Sequence, residues 1–163
     1  KLYNALAESN AIDGNHNPFF YVSSSEWNLY DYLSFIFLQH QMPKGVFLLN
    51  TFRTLSSFIN TGRKGHHGKF FRIDRLLKVF TQPKFVLIGD NSQKDSEIYA
   101  AIVEKYPDRV AHVLIRNVHP AHQNITQAFL KNIAHHQVGT CLFNTTQEAI
   151  HYARANGLIH DRD

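Results

Sequence analysis

The sequence predicts an α/β protein built on a mostly parallel sheet with helices on both of its faces. Three observations carry this. Short apolar runs alternate with longer amphipathic stretches along the chain. The runs Phe19–Val22, Val46–Leu49, Phe85–Ile88 and Val110–Ile115 are apolar or nearly so without alternation, as strands covered on two faces must be. Turn and cap residues fall between the segments. At 163 residues the chain is expected to form one domain, 1–163, and at 44% hydrophobic and 18% charged it can bury an ordinary core.

Taken in order, the chain opens on Lys1 in what reads as the middle of a helix, which suggests a segment cut from a longer protein. The turn-like Asp13-Gly14-Asn15-His16-Asn17-Pro18 precedes the strand Phe19–Val22. Glu26–Gln39 has a helical pattern, with Leu29, Leu33, Ile36 and Phe37 on one face. Val46–Leu49 is a second strand, and residues 53–68, with Thr61-Gly62-Arg63-Lys64-Gly65-His66-His67-Gly68, read as a flexible loop. Lys69–Phe80 is helical, with Phe70, Ile73, Leu77 and Phe80 spaced for one side. Phe85–Ile88 is the clearest strand. The helix Ser96–Tyr106 stops at Pro107, and Val110–Ile115 and Asn124–His135 continue the strand–helix rhythm. Cys141–Phe143 is a short last strand. Thr145-Thr146-Gln147-Glu148 matches a capping box, and Gly157 closes the helix it opens.

Composition narrows the function classes. The single Cys141 rules out an internal disulfide and fits a reducing, cytoplasmic setting. The longest apolar run, Leu29–Leu38, contains Asp31 and Ser34 and is half of the ~20 residues a membrane span needs. No secretory signal pattern is present. The net charge is +4, and between Lys44 and Lys84 nine Lys or Arg stand against one acid, Asp74. Such a stretch suits an anionic partner, a phosphate ester or an anionic lipid at a membrane surface, although a solvated helix face and a loop account for most of it. No nucleic-acid motif accompanies the charge, so no nucleic-acid partner is expected. The eleven histidines include His66-His67, His119-x-x-His122 and His135-His136, none at a zinc-motif spacing such as His-Glu-x-x-His. A dinucleotide fingerprint is also lacking.

In parallel sheets, ligands bind beyond the carboxyl ends of the strands. After the first strand stands Ser23-Ser24-Ser25, where hydroxyls and helix-start N–H groups could cradle a phosphate; for any one of them, a helix cap is the simpler explanation. After Phe85–Ile88 comes Gly89-Asp90-Asn91-Ser92-Gln93-Lys94-Asp95. Here glycine is expected to turn the chain, and two carboxylates on one loop can hold magnesium; a turn residue and an N-cap would also explain them. Lys69 opens its predicted helix, where a cation opposes the macrodipole unless an anion wants it.

Together these residues resemble a known family. Phe19-Phe20-Tyr21-Val22-Ser23-Ser24-Ser25-x-Trp27-Asn28-Leu29-Tyr30-Asp31 and Phe85-Val86-Leu87-Ile88-Gly89-Asp90-x-x-Gln93-x-Asp95 are similar to the catalytic domain of the actin-patch-type phosphatidate phosphatases. These are relatives of the lipins within the haloacid-dehalogenase superfamily. The likeness continues through Lys69 and Ile73, Ile98-Tyr99, Ile115-Arg116-Asn117-Val118 and Gly157-Leu158-Ile159. It implies a haloacid-dehalogenase-like, Rossmannoid three-layer sandwich and a magnesium-dependent phosphatase that works through an aspartyl-phosphate. By the same resemblance, the Ser23 hydroxyl binds a phosphoryl oxygen and Lys69 neutralises the phosphoryl group. Asp90 and Asp95 serve the Mg2+, and Ser24 and Asn28, in the first motif, are candidate substrate contacts. Trp27 is expected in the core.

The sequence departs from the family in three ways. The Asp-x-Asp-x-Thr motif that carries the nucleophile is absent, and Asp13 does not replace it. Glu26 stands where proline is usual, and Asn91-Ser92 where Ser-Gly is usual. The sheet is therefore expected to lack its first, nucleophile-bearing strand, and the chain alone to be inactive. The alternative is a phosphate-binding module or pseudoenzyme without catalysis.

Overall fold

The computed structural model describes residues 1–9, 16–50 and 65–160, apart from the side chains of 65–67. The predicted turn at 13–15 and the loop residues 53–64 lie outside the described residues. The elements are α1 (Leu2–Glu8), β1 (Phe19–Glu26), α2 (Tyr30–Gln39), β2 (Gly45–Asn50), α3 (Gly65–Val79), β3 (Phe85–Asp90), α4 (Asp95–Lys105), β4 (Val110–Arg116), α5 (Gln123–Ala134), β5 (Gly139–Phe143) and α6 (Thr146–Ala155). Short 3-10 turns occupy Trp27–Leu29, Pro107–Arg109 and Pro120–His122. Every described strand pairing is parallel, so the protein is α/β of the Rossmann-like kind. The strands form two ladders, β1–β2 and β3–β4–β5. Two compact units result, Lys1–Arg72 with Ala153–Asp163, and Ile73–Tyr152.

The first unit is held by aromatic rings. Tyr21 of β1 meets Phe37 of α2 edge-on at 4.6 Å and Phe47 of β2 at 5.2 Å, and Phe37 meets Phe47 at 4.9 Å. The Tyr21 hydroxyl donates to the Pro43 carbonyl at 2.7 Å, and burial, with Tyr3 nearby, pushes its pKa up to about 12. Leu33, Ile36 and Phe37 form the better-covered face of α2, as their spacing predicts. Leu29 does not join them. It ends a 3-10 turn, whose tighter winding breaks the helical phase, and it is exposed. Trp27 is not a core residue either: it is 53% exposed, with its ring stacked on Tyr30 at 5.1 Å.

The second unit winds β3–α4–β4–α5–β5 in sequence order, so neighbours in the chain are neighbours in the sheet. Central β4 buries Val113, Leu114 and Ile115 in succession, which explains why its sequence does not alternate. Ile102 and Val103 of α4 and Ile133 of α5 complete this core. At the start of α6 the capping box forms: Thr145 Oγ1 accepts the Glu148 N–H at 3.3 Å, and the Glu148 carboxylate reaches back to the Asn144 N–H at 2.9 Å and the Thr145 hydroxyl at 3.1 Å. Those donors hold Glu148 below the usual carboxylate range, the Asn144 N–H most of all. Gly157, at φ +68°, ends the run, and Leu158 N–H returns to the Ala153 carbonyl at 2.8 Å.

Helix α3 corrects one expectation and adds one feature that the sequence did not show. It begins at Gly65, so 65–68 are helical and Lys69 lies beyond the first turn. Two glycines cost only about 1 kcal/mol each in a helix, which a helix of this length tolerates. Second, Asp74 is buried at 5% exposure and gathers three donors: Lys105 Nζ at 2.6 Å and the Tyr106 hydroxyl at 2.8 Å on Oδ1, and Lys78 Nζ at 2.8 Å on Oδ2. The Lys105 bond, then Lys78 and Tyr106, hold its carboxyl well below the usual range. A depressed carboxyl contributes stability above its unfolded pKa of about 4 and loses it as pH falls through the folded value. Asp74→Asn should therefore lower stability at neutral pH by about 1–3 kcal/mol. Chemical denaturation across pH 2–7, about the carboxylate range, should find less acid-side loss in the variant than in the native protein.

Candidate functional site

Two of the predicted site residues meet at the carboxyl end of β3. Gly89 and Asp90 are the last residues of that strand, opposite Ile115 and Arg116 of β4. Gly89 therefore does not turn the chain. Its lack of a side chain serves a close approach, since a Cβ there would lie 2.4 Å from Asp95 Oδ2 and 2.9 Å from Asp95 Cβ. Asp95 is the first residue of α4 rather than its N-cap, a position held by Lys94. Asp95 is 8% exposed, and its carboxylate accepts the Asp90 N–H at 3.3 Å across the glycine. Its negative charge in a first helical turn is also favourable to the helix dipole.

The turn itself is made by Asp90. Its Oδ1 accepts the Ser92 N–H at 2.8 Å and the Ser92 hydroxyl, an Asx turn that carries the chain from strand to helix. Asp90 and Asp95 are thus drawn together by one loop of six residues, and Asp90 Oδ2 lies outside these bonds. Two carboxylates offering oxygen alone suit magnesium rather than zinc. Among the described residues no three His, Cys, Asp or Glu side chains group to hold a metal. A two-carboxylate set fits Mg2+, which commonly keeps waters and takes its other ligands from phosphate oxygens. His119 and His122 stack face to face at 4.2 Å and belong to no such group.

The first unit contains the other predicted residues. Ser23, Ser24 and Ser25 lie inside β1, where the register with β2 shifts between Val22 and Glu26. Val22 is opposite Leu48 and Glu26 opposite Asn50, so three serines face Leu49 alone, and the strand bulges. None of the serines caps a helix: Glu26 is the N-cap of the 3-10 turn and Leu29 that of α2, both without a side-chain cap bond. Instead Ser23 Oγ accepts the Ser25 N–H at 3.1 Å and contacts Ser25 Oγ at 3.1 Å. Ser24 and Asn28 are exposed. Lys69 is half-buried in α3, past the helix start, so the expected conflict between its charge and the helix dipole does not arise.

Two further residues escaped the sequence reading. Asn50 donates to the Ser24 carbonyl at 3.0 Å and accepts from the Arg72 guanidinium, tying the serine bulge to α3. Burial lowers the pKa of Arg72, whose Nη1 has no acceptor among the described residues. The spacing of Lys69 and Arg72, one helical turn apart, was the available signal. Asn91, noted only as a departure from the family, is 1% exposed and bonded through every polar atom of its side chain. A lone asparagine in a loop gives no sequence sign of burial.

The close contact over Gly89 is testable by a double-mutant cycle. Gly89→Ala should destabilise the protein by about 1–3 kcal/mol, the usual range for overpacking. Adding Asp95→Ala should recover part of that loss, because it removes the carboxylate the new methyl meets and leaves only the Cβ contact. Additive effects in thermal or denaturant unfolding would refute the steric account.

Comparison with known proteins identifies the family. The family model described as "Phosphatidate phosphatase APP1, catalytic domain" matches residues 1–117. An uncharacterized protein of Schizosaccharomyces pombe is 31% identical over 100 residues, 60% of this chain and 16% of the relative. Phosphatidate phosphatase APP1 of Saccharomyces cerevisiae is 30% identical over 98 residues, again 60% of this chain and 16% of the relative. The chain thus matches about one sixth of the length of these curated relatives. No solved structure matches it significantly. With 117 of its 163 residues matched, the chain belongs to the family of the phosphatidate phosphatase APP1 catalytic domain.

Proposed function

We propose that this chain is part of a magnesium-dependent phosphatase acting on phosphatidate-like phosphomonoesters. The observation that carries the reading is the closed Asp90–Asp95 loop at the carboxyl end of a parallel strand, in a chain of this family. Asp90 and Asp95 would hold Mg2+, which when bound offsets negative charge on the phosphoryl oxygens. The Ser23 hydroxyl would donate to one of those oxygens, and Lys69 would supply a cation to the same group. Ser24 and Asn28, exposed next to Ser23 in sequence, would contact the rest of the substrate.

The nucleophile is proposed to come from a strand ending in Asp-x-Asp-x-Thr, a motif this sequence does not contain. Among the described residues β1 pairs with β2 alone and β3 with β4 alone, so each has an edge open to a further strand. In the reaction, the first aspartate of that motif bonds to phosphorus as the bond from phosphorus to the alcohol oxygen breaks. The second aspartate gives the departing oxygen its proton. Water then gives a proton back to the second aspartate and attacks phosphorus, freeing inorganic phosphate and the first carboxylate.

A lipid substrate fits the basic residues Lys44, Lys69, Arg75 and Lys84, since each Lys or Arg near an anionic surface adds about 1 kcal/mol. No described helix is long and apolar enough to cross a membrane. We place the protein in the cytoplasm, peripheral to membranes. The missing motif also favours a second reading, a module that binds a phosphate ligand without hydrolysing it.

Phosphate release from phosphatidate vesicles by the full-length protein discriminates these readings. Asp90→Asn should abolish magnesium-dependent release, and undiminished activity would sink the assignment. Lys69→Ala should lower kcat by about 100- to 1000-fold, the range for loss of one electrostatic donor. The 163-residue chain by itself should release none. A full-length protein that binds inorganic phosphate yet releases none from vesicles would favour the second reading.

A further inference from the structure

We propose that Asn91 is the positioning residue of the Asp90–Asp95 pair: its buried side chain clamps the point where the chain leaves β3, and so sets the direction of both carboxylates. What those carboxylates hold rests on the magnesium reading above; the clamp itself rests on geometry. Asn91 Nδ2 donates to Asn117 Oδ1 at 2.7 Å and to the His119 carbonyl at 3.0 Å. Its Oδ1 accepts the Val118 and His119 N–H groups, each at 2.8 Å. An asparagine side chain has two donor hydrogens and two acceptor lone pairs, and all four are used.

The backbone of Asn91 is fixed as firmly. Its N–H donates to the Arg116 carbonyl at 3.1 Å, extending the β3–β4 ladder beyond Asp90. Its carbonyl accepts from His122 Nδ1 at 2.7 Å, so that ring nitrogen carries the proton. The peptide between Asp90 and Asn91 is therefore anchored by its N–H, and the next one by its carbonyl. Asp90 is left with its own Asx turn to Ser92, and Asp95 with its bond to the Asp90 N–H. Both carboxylates hang from the segment that Asn91 holds.

The clamp has its own support. Asn117 Nδ2 donates to Gln123 Oε1 and Asn144 Oδ1, both at 3.0 Å. The line Asn91–Asn117–Asn144 crosses the carboxyl ends of β3, β4 and β5 in turn. Asn91 is buried with all four of its side-chain bonds made, so its displacement would leave a buried polar atom without a partner. A smaller or apolar side chain at 91 would leave the Val118 and His119 N–H groups and Asn117 Oδ1 in that position.

The test compares Asn91→Ala with Asp74→Asn in the full-length protein, the latter lowering stability away from this loop. Hydrogen exchange of the segment 89–95 and Mn2+ affinity, followed by the electron-spin signal of the free ion, are the readouts. Asn91→Ala should speed exchange in 89–95 and weaken Mn2+ binding about 10- to 100-fold, as loss of an outer partner does at metal sites. Asp74→Asn should change neither. Exchange and Mn2+ affinity at native values in Asn91→Ala, with only a lower melting temperature, would overturn the proposal. Faster exchange in Asn91→Ala together with Mn2+ affinity unaltered by Asp90→Asn would uphold the clamp and overturn the magnesium reading instead.

Discussion

The last rungs of the ladder between β3 and β4 set where the polar groups of the second unit emerge. Pairing runs unbroken from Val86 opposite His112 to Asp90 opposite Arg116, and the backbone of Asn91 adds one bond more. Parallel pairing makes these strands end together, and the same holds for β5, whose Phe143 lies opposite Arg116. Asp90, Asn117 and Asn144 consequently emerge at one end of one sheet. A register slip of one residue would turn each side chain to the opposite face. Val113, Leu114 and Ile115, buried in succession on both faces, make β4 the centre of that sheet.

Beyond the ladder, close approach takes over from hydrogen bonding. The Asp95 carboxylate reaches the Asp90 N–H because nothing projects from Gly89. The first unit reaches its polar segment by a different route. There the bulge puts three serines opposite Leu49, and Asn50 braces the Ser24 carbonyl against the Arg72 guanidinium. In each unit a strand of apolar sequence gives way to polar groups, at a bulge within β1 and at the Asx turn that follows β3.

Electrostatics divides the basic stretch into two kinds of residue. Lys78 belongs, with Lys105, to the buried Asp74 carboxylate, and its charge is matched inside the fold. Arg72 is bound to Asn50, and burial lowers its pKa. The net charge of +4 thus overstates what this stretch offers an anionic partner.

Much of the architecture was legible in the residue pattern. Apolar runs marked all five strands to within a few residues, the capping box marked the start of α6, and Gly157 its end. Such features depend on neighbours in sequence, which is why sequence determines them. The carboxylate loop was legible too, as Gly89, Asp90 and Asp95 in a seven-residue span, though the glycine's reason was not. Only tertiary structure decides that Gly89 admits Asp95 instead of turning the chain, that α3 begins before Lys69, that Trp27 stays outside the core, and that Asn91 is buried and fully bonded. These depend on how many distant atoms approach one point, and no local pattern encodes that number.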